Sequence, residues 1–161
     1  MDEELKGFLR EANGVDNSVR PCKFVNHFKM RRLDDSTRNL ILTSKAVIPG
    51  ETHYDCLQCA TCCINGEIKL PERLAEKGKP CKFLVENLCS QDVTKPSLCK
   101  QFPFKKFVLR YIDGRPDIDL LLISIHCPGQ TMGRIITEER CKRLLEEIDK
   151  GPENVGQTRD L

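Results

Sequence analysis

Hydrophobic positions near the start of the chain recur with a helical period. Leu5, Phe8, Leu9 and Ala12 share one face of the stretch Glu3 to Ala12, and Gly14 closes it, so the spacing predicts a short amphipathic helix. From Val15 to Arg32 the pattern is irregular and basic, ending in Lys29-Met30-Arg31-Arg32, and it predicts a loop or short strand with a solvated charge run. Asp34-Asp35-Ser36 then offers capping oxygens to a segment from Thr37 to Val47, closed by Pro49-Gly50. Helix is the expectation there, with a strand as the alternative because Leu40-Ile41-Leu42-Thr43 also suits a strand core.

The centre of the chain, Tyr54 to Pro103, is punctuated by Pro71, Gly78, Pro80, Pro96 and Pro103, which leaves no room for long regular elements. Only Pro71 to Lys77 has a helical pattern, with proline in the first turn. After Pro103 the pattern changes. Phe104 to Ile112 and Asp117 to Ile125 are rich in β-branched, leucine and aromatic residues and are joined by Asp113-Gly114-Arg115-Pro116, which predicts a β-hairpin. Leu120-Leu121-Leu122-Ile123 is apolar without alternation, so the second strand should be buried on both faces and central in a small sheet. Thr137-Glu138-Glu139-Arg140 resembles a capped helix start, and Cys141, Leu144, Leu145 and Ile148 follow at helical spacing up to Gly151, predicting a helix that packs on the sheet. The last ten residues are polar and read as a frayed tail. The expected fold class is α+β: a small antiparallel sheet built on the C-terminal hairpin, flanking helices, and a long cysteine-rich loop region organised by metal. Residues 1–53 form a helical extension packed on the core, 54–130 the cysteine-rich core, and 131–161 the last helix and tail of one compact domain.

Composition explains why metal enters the picture. Of 161 residues 39% are hydrophobic, with no Trp, seven Phe and two Tyr, so apolar burial alone should hold this fold less firmly than usual. The formal charge of +2, from 26 basic and 24 acidic side chains, is too balanced to steer the whole molecule toward nucleic acid or an anionic membrane. Ten cysteines are a large excess. The sequence opens on Met1-Asp2-Glu3-Glu4-Leu5-Lys6 with no apolar leader, and no apolar run approaches the ~18 residues needed to span a bilayer, so a cytoplasmic location is expected. In that reducing setting, crowded thiols are better read as metal ligands or redox groups than as disulfides.

Cys56-x2-Cys59-x2-Cys62-Cys63 puts four thiols within eight residues. Two residues between ligands let a tight loop turn its sulfurs toward one point while its N–H groups hydrogen-bond them, a geometry shared by zinc ribbons and iron–sulfur proteins. The adjacent Cys62 and Cys63 suit a polynuclear cluster or two neighbouring sites better than a single ion. Cys81, Cys89, Cys99 and Cys127 follow singly. Eight thiols suffice for two four-sulfur sites, or for one cluster with supporting or redox-active cysteines. Arg20-Pro21-Cys22-Lys23-Phe24 echoes Lys79-Pro80-Cys81-Lys82-Phe83, which leaves Cys22 as a reserve ligand.

The order Cys-x2-Cys-x2-Cys-Cys, Cys-x-Phe-Leu, a lone Cys, Pro-x2-Cys-x2-Phe-Pro and Cys-Pro-Gly, over roughly residues 54 to 130, resembles the YkgJ-type cysteine-cluster family of zinc- or iron-chelating proteins. Related modules occur in flagellin lysine N-methylases. The chain departs from the family pattern at Ala60, where glycine is common, at Lys95, where arginine usually precedes the proline, and at Ser90-Gln91-Asp92, which lacks an aromatic. What the resemblance implies is metal chelation.

Zinc commonly uses two Cys-x2-Cys knuckles, and the second is missing. A close run of cysteines with a remote one followed by proline, as Cys127-Pro128 is, belongs to iron–sulfur proteins, so a four-iron cluster is preferred, with zinc the alternative. Three roles follow: an electron-transfer or accessory protein, a zinc-held structural or interaction module, or an accessory to a protein lysine N-methylase. Each calls for a protein partner, either a redox partner or a methylation target. No Gly-x-Gly-x-x-Gly loop, radical-type Cys-x3-Cys-x2-Cys run or nucleophile elbow is present, so catalysis by this chain alone has no motif to support it. His27 reads as a surface or satisfied polar residue, while His53 and His126, close to cluster cysteines, are candidates for hydrogen bonds to the ligands or, more rarely, for ligation itself. Cys141 belongs on the apolar face of its helix as a small hydrophobe. Lys100, Lys105 and Lys106 flank Phe102, Phe104 and Phe107 and could serve single-stranded nucleic acid, but core phenylalanines with solvated lysines are the stronger expectation.

Overall fold

The computed structural model describes residues 1–30, 33–57, 84–86, 88–89, 101–109 and 116–150. In chain order the described elements are helices α1 (Glu3–Gly14), α2 (Arg20–His27) and α3 (Asp35–Leu42), strands β1 (Ser44–Ala46), β2 (Leu84–Val85), β3 (Leu88–Cys89), β4 (Phe104–Leu109) and β5 (Ile118–Ser124), a 3₁₀ turn (Pro128–Thr131), and helix α4 (Glu138–Asp149).

Four consecutive side chains of β5, Leu120 to Ile123, are each at most 2% exposed. The two-residue period of a strand sends them to opposite faces. Leu120 and Leu122 join Phe107 and Leu109 of β4 against Leu5, Phe8, Leu9 and Ala12 of α1, Phe24 of α2, Phe28 and Ile41. Leu121 and Ile123 join Phe104, Val47, Tyr54, Cys127, Ile136 and Cys141, with Leu144, Leu145 and Ile148 of α4 against them. The antiparallel sheet runs β1-β5-β4, so β5 is the central strand, with α1 to α3 on one face and α4 on the other. Burying each such leucine is worth about 1.5–3 kcal/mol. The α+β class, the antiparallel hairpin pairing and the central second strand are as the hydrophobic pattern predicts. The connection at 110–115, the helix expected at Pro71 to Lys77 and the tail at 151–161 lie outside the described residues.

Caps hold three helix starts. Asp2 accepts from Leu5 N at 2.7 Å, Asp34 from Thr37 N at 2.7 Å and Thr137 from Arg140 N at 3.2 Å, each satisfying an amide that the helix itself leaves unpaired.

Two segments adopt other elements than their pattern predicts. The segment Val15 to Arg32, expected as loop or short strand, contains α2. Pro21 sits in its first turn, where a missing N–H costs nothing, and Phe24 and Phe28, four residues apart, are buried on α1, with Phe8 edge-on to both rings at 5.2 and 5.0 Å. The helix expected from Thr37 to Val47 ends at Leu42, and Ser44 to Ala46 form β1 instead. The competing partner is β5: Ser44, Lys45 and Ala46 pair with Ser124, Ile123 and Leu122, and Val47 N donates to Leu121 O at 2.8 Å. Continuing the helix would leave that edge of the most buried strand without hydrogen bonds. The strand alternative at Leu40 to Thr43 is misplaced by the same pairing.

Phe104 and Phe107 are core residues and Lys105 is exposed, as expected of that segment. Lys106 is not merely solvated. Its ammonium bridges Asp149 at the end of α4 (2.7 Å) and Asp119 of β5 (2.9 Å), tying helix to sheet. Those two carboxylates, Asp149 first, raise its pKa.

Candidate metal centre

The two ends of the cysteine-rich region meet beside the sheet. After β1 the chain turns at Gly50 and runs antiparallel to residues 133–136: Gly50 N donates to Ile136 O (2.9 Å), Ile136 N to Thr52 O (2.8 Å) and Tyr54 N to Arg134 O (3.0 Å), while His53 bridges Ile135. Tyr54 anchors this ribbon. It is buried, its ring stands edge-on to Phe104 at 4.9 Å, and the Arg140 guanidinium lies 5.8 Å from the ring centroid and donates to Tyr54 O at 3.4 Å.

Cys127 leaves β5 through a tight turn. Its N–H donates to Ser124 O (3.3 Å), its carbonyl accepts from Gln130 N (3.2 Å), and the Gln130 amide reaches back to Ile125 O (2.6 Å). The loop that follows lies directly on Asp55. Asp55 N donates to Gly129 O at 3.3 Å, and a Cβ on Gly129 would collide with the Asp55 carbonyl oxygen. Gly133, at φ +91°, is equally tight: a Cβ there would stand 2.5 Å from the Asp55 side chain. The Asp55 carboxylate accepts from Arg134 N (2.9 Å) and from Arg134 Nε and Nη2 (3.1 Å each). These Arg134 contacts, side chain first and then backbone, hold the Asp55 carboxyl below the usual carboxylate range.

Cys56, next in the chain, is exposed, and Cys127 is buried at 7% exposure. The first cysteine of the crowded run and the last of the set thus lie on two segments in backbone contact. Cys59, Cys62, Cys63, Cys81 and Cys99 lie outside the described residues. Among the described residues no three His, Cys, Asp or Glu side chains form a metal site. Of the two described cysteines of the set, Cys56 is reachable from solvent and Cys127 sits in an apolar setting. For Cys89 only the backbone is described: it pairs with Leu84 in the β2-β3 hairpin, whose turn residue Glu86 has φ 48°. That hairpin was not legible as one, because its turn lacks glycine.

His53 Nδ1 lies 2.9 Å from Gly133 O, so that nitrogen carries the proton and donates to backbone, joining the ribbon to the loop. His126 is exposed. His27 is exposed and stacks on Phe8 at 3.9 Å, a surface position. Cys22 is exposed on α2, beside a groove of about 260 Å³ lined by Pro21, Val25, Asn26, Leu33, Asp35 and Arg38. Cys141 is a core residue of α4, as expected, and burial, assisted by Glu138, pushes its thiol pKa up. Less thiolate and no access both slow alkylation. Native protein treated with iodoacetamide at mildly alkaline pH should therefore label at Cys22 and stay unlabelled at Cys141 until denatured; equal labelling of the two, read by peptide mass spectrometry, would contradict this packing.

No helix among the described residues is long and apolar enough to cross a membrane. No family model, no curated protein and no solved structure matches the chain.

Proposed function

We propose that this chain is a cytoplasmic metal-binding protein in which Cys56, Cys59, Cys62 and Cys63, with Cys127 and drawing on Cys81, Cys89 and Cys99, hold an iron–sulfur cluster of the four-iron type. The observation that carries the reading is the seating of Cys127-Pro128-Gly129 on Tyr54-Asp55-Cys56. The backbone contact of Asp55 with Gly129 sets the segments that carry Cys56 and Cys127 side by side, which supports a cluster with three near ligands and one distant one. The resemblance to YkgJ-type chelating proteins points the same way. Bound, the cluster would supply one-electron transfer, and the role proposed is that of an electron-transfer or accessory protein with a protein redox partner. The chain's own part is to present an exposed Cys56 and to shield Cys127 in the apolar layer formed by Phe104, Ile136 and Tyr54.

Anaerobic purification followed by iron, sulfide and zinc analysis, with optical and paramagnetic spectra before and after dithionite, tests this. About four iron and four sulfide per chain are expected, with a reversible spectral change on reduction. Stoichiometric zinc without iron would replace the cluster by a redox-silent zinc site, and a folded chain empty of both metals would end the proposal.

A further inference from the structure

The contacts around Asp55 are denser than a loop crossing requires, and they all join the same two segments. Its N–H bonds Gly129 O, its carbonyl fills the space a Gly129 side chain would need, and its carboxylate takes three hydrogen bonds from Arg134. Gly133 turns through a positive φ so that this carboxylate can reach the Arg134 N–H. Asp55 and Arg134 are 79 positions apart in sequence, and Arg134 is 82% exposed, so an ordinary surface pair of this kind would add little to stability. Its position gives it a different use: Asp55 precedes Cys56, and Gly129 stands two residues beyond Cys127.

We infer that Asp55, clamped by Arg134 and admitted by Gly129 and Gly133, is the positioning residue that sets the spacing of Cys56 and Cys127 for a shared metal. The inference rests on the proposed metal centre, and it goes beyond it by assigning a role to residues that donate nothing to metal. A carboxylate fits this task better than a neutral group because it accepts from the Arg134 backbone and side chain together, fixing direction as well as distance. Groups that orient ligands in this way usually change metal retention by about tenfold to a hundredfold when removed.

The test compares wild type with Asp55→Asn, Arg134→Ala and Gly133→Ala, and with Glu51→Gln, which loosens the Arg10 pair on the same stretch of chain without touching the clamp. All are purified anaerobically. Metal release to a chromophoric chelator, the spectrum of the bound metal, and the melting curve of the metal-free protein are recorded. Release about tenfold or more faster in the three clamp variants, with an altered metal spectrum, and a metal-free melting curve like that of wild type in Asp55→Asn and Arg134→Ala, is the expected result. Glu51→Gln should release metal at the wild-type rate. Asp55→Asn is the mildest of the set, so it still reads the effect if Gly133→Ala fails to fold. Wild-type release rates and spectra in both Asp55→Asn and Arg134→Ala would overturn the inference while leaving the metal centre intact. A wild-type chain without metal would instead remove the proposed function itself.

Discussion

Replacing Cys127 by serine is expected to reduce the iron retained by the proposed cluster to background, whereas Cys141→Ser and Cys22→Ser keep it. The three thiols differ in setting, not in chemistry. Cys127 is held by backbone bonds at both ends of its turn, and the loop after it rests on Asp55. Cys141 faces the apolar layer under α4, and Cys22 lies on α2 beside an open groove. A serine hydroxyl stays protonated near neutral pH and is a poor ligand for iron, so the protein cannot make up for the lost sulfur by a small shift. Cys56→Ser should behave like Cys127→Ser, with retained iron at background. Thermal unfolding gives a second readout. Metal held by thiolates contributes folding free energy, on the order of 10 kcal/mol for structural zinc, so the cysteine variants should lose the metal-dependent part of their transition. Iron content in Cys127→Ser equal to wild type, with an unchanged spectrum, would remove Cys127 from the ligand set.

Much of the scaffold was legible because its signals are local. Leu5, Phe8, Leu9 and Ala12 repeat with the period of α1, and Cys141, Leu144, Leu145 and Ile148 with that of α4, each after a side chain that caps the first turn. The unbroken run Leu120 to Ile123 announced a strand covered on both faces. What stayed hidden depends on partners far away in sequence. β1 is three residues long and exists because β5 has an edge to fill. α2 was obscured by its basic residues, although Pro21 and the Phe24-Phe28 spacing were there to be read. The approach of residues 54–56 to 127–129 had only faint markers, Gly129 and Gly133, whose need for a missing Cβ becomes visible once Asp55 is placed. The cysteine run was plain from spacing, but Cys59, Cys62, Cys63, Cys81 and Cys99 lie outside the described residues, so how the thiols group is not part of what the described fold displays.

Arg20→Met is expected to destabilise the fold by about 3–5 kcal/mol, among the largest effects of any single substitution on the helical face. In the sequence Arg20 looked like one more member of a basic stretch, yet it is 1% exposed. Its guanidinium donates to Ala12 O (2.9 Å), to Ile41 O (3.3 Å), to Ser44 O and to Asn17 Oδ1 (2.6 Å). Ala12 lies in the last turn of α1 and Ile41 in the last turn of α3, where carbonyls have no partner within the helix. One planar fork therefore closes two helix ends and the start of β1, with its charge placed favourably for both helix dipoles. Burial pulls its pKa down and the Asp16 carboxylate partly offsets this, but a guanidinium remains charged at any physiological pH. Methionine matches the apolar stem and removes every donor. Each carbonyl left buried and unpaired costs about 1–3 kcal/mol, and the total falls short of the simple sum because the helix ends can shift toward water. Arg20→Lys keeps the charge but not the fork, and should fall between methionine and wild type. Arg10→Ala, which breaks an exposed pair with Glu51, is the contrasting case and should move the unfolding midpoint only slightly. Urea titration of the purified proteins followed by circular dichroism separates these. A loss below about 1 kcal/mol for Arg20→Met would mean that the three carbonyls find other donors, and that the fork is not what joins α1, α3 and β1.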